Sequence, residues 1–212
     1  MTIITFAMIM TEVIKMKKID IALFIGLAAA IILGNFSVFA KDCEKVEKEV
    51  LRLHILANSD SDEDQNLKLE VRDEILKQTS NLLNTENLDN AEKSAKENLD
   101  LITEIASKVV QKNGYDYNIK TEIVNMYFDT RYYDNITMPA GNYDAVRITI
   151  GKGEGHNWWC VLYPPLCVSG AVAEDYDEMK SFAYTSDKPQ YTAKFKAVEI
   201  YKSVKNYINK VI

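Results

Sequence analysis

Residues 143–163 read YDAVRITIGKGEGHNWWCVLY, the densest patterning in the chain. Val146, Ile148 and Ile150 alternate with Arg147 and Thr149, the period-two pattern of a strand with one buried face. GKGEG (151–155) is a glycine-rich turn and WWCVLY (158–163) reads as the strand returning from it, so the spacing predicts a β-hairpin. Pro164 and Pro165 close the second strand, because proline has no N–H for a ladder. Adjacent tryptophans on a strand point to opposite faces. Either the sheet is covered on both sides, or one of Trp158 and Trp159 stands at the surface.

Upstream, VLRLHILAN (50–58) reads as a buried strand, and SDSDED (59–64) follows as a helix start. Asp60 or Ser61 can cap that helix, and Asp62, Glu63 and Asp64 suit the positive end of its dipole. The helix runs to about Leu83, with Val71, Ile75 and Leu82 beside Leu69, Leu76 and Leu83 as a wide apolar face. A second helix is expected from Leu88 to Val109, stopped by Asn113-Gly114. YNIKTEIVNMYF (117–128) alternates as a strand, and MPAGN (138–142) reads as a turn. Residues 170–187, with five acids, read as an exposed loop. The tail is a helix whose apolar stripe is Ala197, Ile200, Val204, Ile208 and Val211, with six lysines between 188 and 210 against Glu199. The expected fold is α+β: a single domain of order β-α-α-β-β-β-α, with a mainly antiparallel sheet, two helices packed on it and a C-terminal helix.

The N-terminus has a different character. Lys15, Lys17 and Lys18 precede the apolar run IALFIGLAAAIIL (21–33), and SVFA (37–40) follows. A basic flank, an apolar core and small residues describe a signal peptide cut after Ala40. A retained membrane anchor is the other reading, weakened by Asp20, Gly34, Asn35 and Ser37. The expected division is therefore 1–40, extension and signal peptide, and 41–212, exported α+β domain. Of 212 residues, 25 are Lys or Arg and 31 Asp or Glu, a formal charge of -6. Residues 1–40 hold three lysines and two acids, so 41–212 carries -7. That balance argues against broad nucleic-acid binding, and membrane contact is expected only through the N-terminal segment.

Export permits disulfides. Cys160 and Cys167 are close enough to pair, leaving Cys43 odd. As chemistry, the cysteines support two readings. His54, His156, Cys160 and Cys167 supply two nitrogens and two sulfurs, but neither a Cys-x2-Cys pair nor closely spaced histidines, so no metal and no cofactor are expected. Cys160 or Cys167 with His54 or His156, oriented by Asn58 or Asn157, holds the parts of a thiol hydrolase. The apolar flanks Trp159 and Val161 would keep such a thiol protonated. GKGEG is no phosphate cradle, because a strand rather than a helix follows it. Capping accounts for Asp60, Asp62, Glu63 and Asp64 without invoking paired catalytic carboxylates.

LRLHILANSDSDEDQNLKLEVRDEIL (51–76) and PAGNYDAVRITIGKGEGHNWWCVLYPPLC (139–167) together resemble the stage II sporulation protein R family of endospore-forming Firmicutes. The residues that carry the likeness are His54, Ala57 to Asp60, Asp64-Gln65, Lys68, Val71 to Asp73, Pro139 to Gly141, and Gly155 to Pro165. The resemblance implies a protein secreted from the forespore into the space between the forespore and mother-cell membranes. There it would activate a membrane-embedded aspartic protease of the mother cell, which processes the pro-form of an early sigma factor. It implies no catalytic residues. The expected partner surface is His54, Asn58, Asp60, His156, Asn157 and Trp158, polar or aromatic groups interrupting apolar strands. The rival is an exported cysteine- and histidine-dependent hydrolase of the intermembrane space or wall. A third reading lays the lysine-rich tail on lipid or anionic wall polymer.

Overall fold

The computed structural model describes residues 18–83, 85–133, 136–164 and 189–211. The chain divides into two compact units, Met1–Lys41 and Asp42–Ile212. In the first lies most of helix α1, Lys18–Glu47, whose length and composition suffice to cross a membrane and whose 18-residue apolar stretch has a mean hydropathy of 2.3. Asn35 and Ser37, the residues that weaken a span on paper, donate to the carbonyls of Ile31 and Leu33. Their polarity is thereby satisfied within the helix.

The second unit is built on a four-stranded sheet of β1 (Leu51–Leu56), β2 (Ile119–Phe128), β5 (Gly141–Ile150) and β6 (Asn157–Tyr163), in the order β2-β5-β1-β6. Strands β3 (Arg131–Tyr133) and β4 (Ile136–Met138) form a separate ribbon between β2 and β5 in sequence. The expected turn at 138–142 is thereby reduced to Pro139 and Ala140. β1 lies parallel to β5, Leu53 opposite Val146, and antiparallel to β6, Leu53 opposite Cys160. β2 lies antiparallel to β5.

The expected hairpin is thus corrected: β5 and β6 run antiparallel but are separated by β1. Residues 151–156 bridge two inter-strand spacings, roughly 10 Å, over the end of β1. Gly153 N–H bonds Ile150 O, while Glu154 and Gly155 N–H bond Asn58 O and Ala57 O. A strand inserted between two antiparallel strands leaves their alternation unchanged, so the local pattern is blind to it.

β1 is buried on both faces. Leu51, Leu53 and Ile55 join Val146, Ile148, Ile150, Cys160 and Leu162 on one side, beneath three helices. These are α2 (Asp62–Leu83), α3 (Leu88–Glu97) and α4 (Leu99–Lys112), contributing Leu67, Val71, Ile75, Ala95, Ile102 and Ala106. Val50, Phe128, Met138, Tyr143, Ala145 and Val161 form a second core on the other face, around Arg52. The two tryptophans follow: Trp158 packs with the first cluster and Trp159 with the second, each half-buried. Of the two readings left open, the doubly covered sheet holds.

The single helix expected over 88–109 is two. Asn98, at φ -110° and ψ 16°, breaks it, its side chain donating to Ser94 O at 2.8 Å. A short amide competes with the backbone ladder, which is why asparagine sits badly inside helices. Asn113-Gly114 ends α4 as expected, with Gly114 at φ +82°.

Helix α5 (Pro189–Val211) also departs from expectation. It buries Phe195, Val198 and Lys202, while Ile200, Val204 and Ile208 face outward. Residues at i, i+3 and i+7 share one face, as do those at i, i+4 and i+8, and only the docking surface decides which is covered. The acidic stretch 170–187 and Cys167 lie outside the described residues.

Candidate functional site

Five of the six residues of the expected partner surface gather at one end of the sheet, where β1 runs into α2 and residues 151–157 cross above it. Ser61 is the helix cap: its Oγ accepts from Asp64 N–H at 3.2 Å. That leaves the Asp64 carboxylate free to turn inward, and it is buried. Its Oδ2 accepts from Asn58 Nδ2 at 2.8 Å and Ser59 Oγ at 2.5 Å, and Tyr117 adds a third hydrogen bond. Asn58 Oδ1 in turn accepts from Lys152 N–H at 3.0 Å, tying the two loops together.

Lys68, also buried, donates to Gln65 Oε1 at 2.6 Å and to His156 O at 2.8 Å, and Gln65 donates to Ser59 O. The sequence marks Asp64, Gln65 and Lys68 through the family likeness but not as an inner frame, because each falls in a helix turn where a solvated role explains it equally well. Two glycines let the loops touch. A Cβ on Gly155 would sit 2.1 Å from Ser59 O, and Gly151, at φ +59°, would place one 2.3 Å from Asn58 Oδ1.

On this frame stand Asp60 and His156. Asp60 Oδ1 accepts from His156 N–H at 2.6 Å and is in contact with His156 Nδ1. Both side chains are open to solvent, 56% and 78% exposed. His54 is different. It is buried on β1, stacked on Trp159 at 4.0 Å between centroids, and its Nε2 bonds Asn157 Oδ1 at 2.8 Å. Burial pushes its pKa below the usual 6.5 and the charge of Arg147 acts in the same direction, while the Asn157 hydrogen bond opposes both. His54 is therefore a neutral framework group that orients Asn157, rather than part of the surface itself.

Trp158 does not join this set. It points to the helix-covered face, with the Arg72 guanidinium 4.3 Å from its ring centroid. Cys160 lies on that same face, opposite to His54, and is disulfide-bonded. Cys43 is free and buried. Among the described residues neither histidine hydrogen-bonds a hydroxyl or a thiol, and no group of three or more His, Cys, Asp or Glu is placed to hold a metal. The arrangement presents an acid–imidazole pair on a rigid polar base.

Burial alone would raise the Asp64 pKa, but the hydrogen bonds from Ser59, Asn58 and Tyr117 outweigh it and hold the carboxyl below its ordinary 3.8. A lowered folded-state pKa contributes stability that is complete above the unfolded value and lost as pH falls through the folded one. Stability should therefore decline below pH 3.8, by at most about 1.4 kcal/mol per pH unit from this group. Asp64→Asn should cost about 1.5–3 kcal/mol at neutral pH, since it removes a charged acceptor. Its urea-unfolding curves should approach the wild type as acid is added. A gap that persisted down to the lowest pH would assign the loss to packing instead.

A family model described as stage II sporulation protein R matches residues 47–173, which include the whole polar loop region. A curated relative, stage II sporulation protein R of Bacillus subtilis (strain 168), is 41% identical over 123 residues, covering 58% of this chain and 55% of that protein. The match thus spans about half the length of the curated relative. No solved structure matches.

Proposed function

Because the chain belongs to the stage II sporulation protein R family, it is a sporulation protein, and we propose that it acts as an exported signal rather than as an enzyme. In this reading the forespore secretes the domain 41–212 into the space between the two membranes, the signal segment being cut after Ala40. The domain binds a membrane-embedded aspartic protease of the mother cell and favours its active state. The protease then processes the pro-form of the early mother-cell sigma factor.

The observation that carries this reading over an exported hydrolase is the state of Cys160. Its sulfur is in a disulfide and sits on the sheet face away from His54, and the free Cys43 is buried with its pKa pushed up to about 12, so among the described residues neither histidine is paired with a thiol nucleophile. The contact surface is His156, Asp60 and Asn157, exposed polar groups held by buried ones. His54 and Asn58 support it from below. We propose Cys167 as the partner of Cys160.

The test is cleavage of the pro-sigma factor in a non-sporulating host that expresses the protease, with residues 41–212 exported alongside. Asp60→Ala and His156→Ala, folded and exported, should each lower signalling by roughly tenfold or more, in the range of a central interface residue. Cys160→Ser should signal fully once shown to be folded. Loss in both Cys160→Ser and His156→Ala with protease binding retained would mean that chemistry is required, and the signal reading would fall.

A further inference from the structure

From the outer edge of β2 we infer a self-association surface: two copies of this chain pair their β2 strands antiparallel about a two-fold axis at Thr121, joining their sheets into one. The inference does not depend on the protease reading.

β2 ends the sheet, and among the described residues it pairs with β5 alone. From Ile119 to Phe128 it keeps register with β5 without a bulge. Just before it, Gly151 N–H bonds Asn118 O. Hydrogen-bonded pairs alternate along an antiparallel ladder, so residues 120 and 122 turn their amides to β5 while Ile119, Thr121 and Ile123 turn theirs outward. Native edge strands are commonly shortened, bulged or broken by proline, which keeps other strands off. This one is long, regular and free of proline. Lipid cannot cover it, because a row of open amides finds no partners in a bilayer core. Another strand can.

The edge itself selects which strand. Residues 119–123 read IKTEI. Reversed against itself about Thr121, this segment sets Ile119 opposite Ile123 and Lys120 opposite Glu122, each twice by symmetry. Opposite charges facing across a strand pair stabilise it, and like charges destabilise it. Within one copy Glu122 holds both Lys120, at 3.0 Å, and Arg147. Lys120 therefore shares its acid, and the Glu122 of a second copy supplies it with another. The pivot carries a signal of its own: Thr121 Oγ1 is buried and without a hydrogen-bond partner. The two-fold axis sets the two Thr121 side chains face to face, where threonines hydrogen-bond across strands. A register centred on Ile123 instead sets Lys120 and Glu122 against Met126 and Val124. It also brings Ile119 up to Tyr127, whose hydroxyl meets Ser203 of α5.

The experiment uses the full chain in non-ionic detergent, with Thr121→Cys as the cross-linking probe. Facing residues of a hydrogen-bonded pair lie about 5.5 Å apart at Cα, a separation that a disulfide spans. Cys43 is buried and Cys160 is already bonded. Mild oxidation with diamide should convert Thr121→Cys to a disulfide-linked dimer. Asn125→Cys, on the same edge but away from the axis, should stay monomeric. Association through the apolar α1 would not bring residue 121 to its own copy. Adding Lys120→Glu sets acid against acid at both symmetric pairs and should slow cross-linking at 121 roughly tenfold. Three results would overturn the inference: no dimer from Thr121→Cys, equal cross-linking at 125, or a rate at 121 that Lys120→Glu leaves unchanged. The second would mean that β2 meets its copy in no fixed register.

Discussion

Arg52→Ala should cost about 3–5 kcal/mol, measured by urea unfolding of the unit 42–212. Arg52 is fully buried in the second core. Its Nε donates to Cys160 O at 3.0 Å and its Nη2 to Tyr133 Oη at 2.8 Å, and Tyr133 passes a hydrogen bond to Trp159 O. The guanidinium carbon lies 4.4 Å from the Phe128 centroid and 5.0 Å from that of Tyr143. Among the described residues no carboxylate is among the groups acting on it. Burial lowers its pKa, and Tyr133 and Tyr143 oppose that shift. Aromatic faces therefore take the place of a counterion.

Alanine removes both hydrogen bonds and the volume that fills the space between Phe128 and Tyr143. Arg52→Met keeps most of the volume and removes a charge that is costly to bury, so it should stay within about 1–2 kcal/mol of the wild type. Equal damage from both replacements would show that the hydrogen bonds and the cation–π contacts, not packing, hold this face together.

Glu47→Ala should destabilise by a similar amount, about 3–5 kcal/mol, because it strands a buried charge. Glu47, at the end of α1, forms an ion pair with Lys202 of α5, and the two side chains are only 14% and 9% exposed. Its other oxygen accepts from Asn142 N–H at 3.0 Å where β5 begins. Gly141 makes room for this, since a Cβ there would lie 2.2 Å from the Glu47 carboxyl carbon. One carboxylate thus clamps the start of β5 and the inner face of α5.

Without it Lys202 loses its paired carboxylate, and only the more distant Glu44 and Cys43 oppose the burial that already lowers its pKa. Helix α5 should then loosen, and its amides should exchange faster than those of β1. Adding Lys202→Met to Glu47→Ala should recover most of the loss, since a buried pair replaced by apolar groups is often neutral. No recovery would mean that the bond to Asn142, not the charge, is what Glu47 contributes.

These two sites also mark where a sequence reading stops. Arg52 sits between Leu51 and Leu53 in an alternating strand, where an arginine ordinarily marks the wet face. Lys202 is one of six lysines in a tail that reads as solvated on its polar side. Both are inside because a second layer covers the far side of the sheet, and that layer is assembled from residues distant in sequence: Val50, Phe128, Tyr143 and Val161. The candidate site was more legible. His54, Asn58, Asp60, His156 and Asn157 stand out as polar groups inside or at the ends of apolar runs, and the structure brings them together. Trp158 was misplaced, since its neighbour rather than it shares the face of His54.

The sequence by itself determined the kind of each main element and most of the ends. Period-two alternation marked two strands, an apolar run marked a third, and three- and four-residue spacing marked the helices. Asp60 or Ser61, Asn113-Gly114 and the prolines after Tyr163 marked limits through their own local chemistry, and the structure chose Ser61. It also marked an apolar N-terminal segment and, through its motifs, the sporulation family. All of these are properties of neighbouring residues, so they survive without knowledge of the rest of the chain. The tertiary structure alone decided that β1 inserts between β5 and β6, which face of α5 docks, where the helix pair gains a third member, and that Arg52 and Lys202 are buried. An alternating pattern records that a face is covered, not what covers it. Strand order and docking follow from contacts between residues tens of positions apart, whose free energies no local window contains.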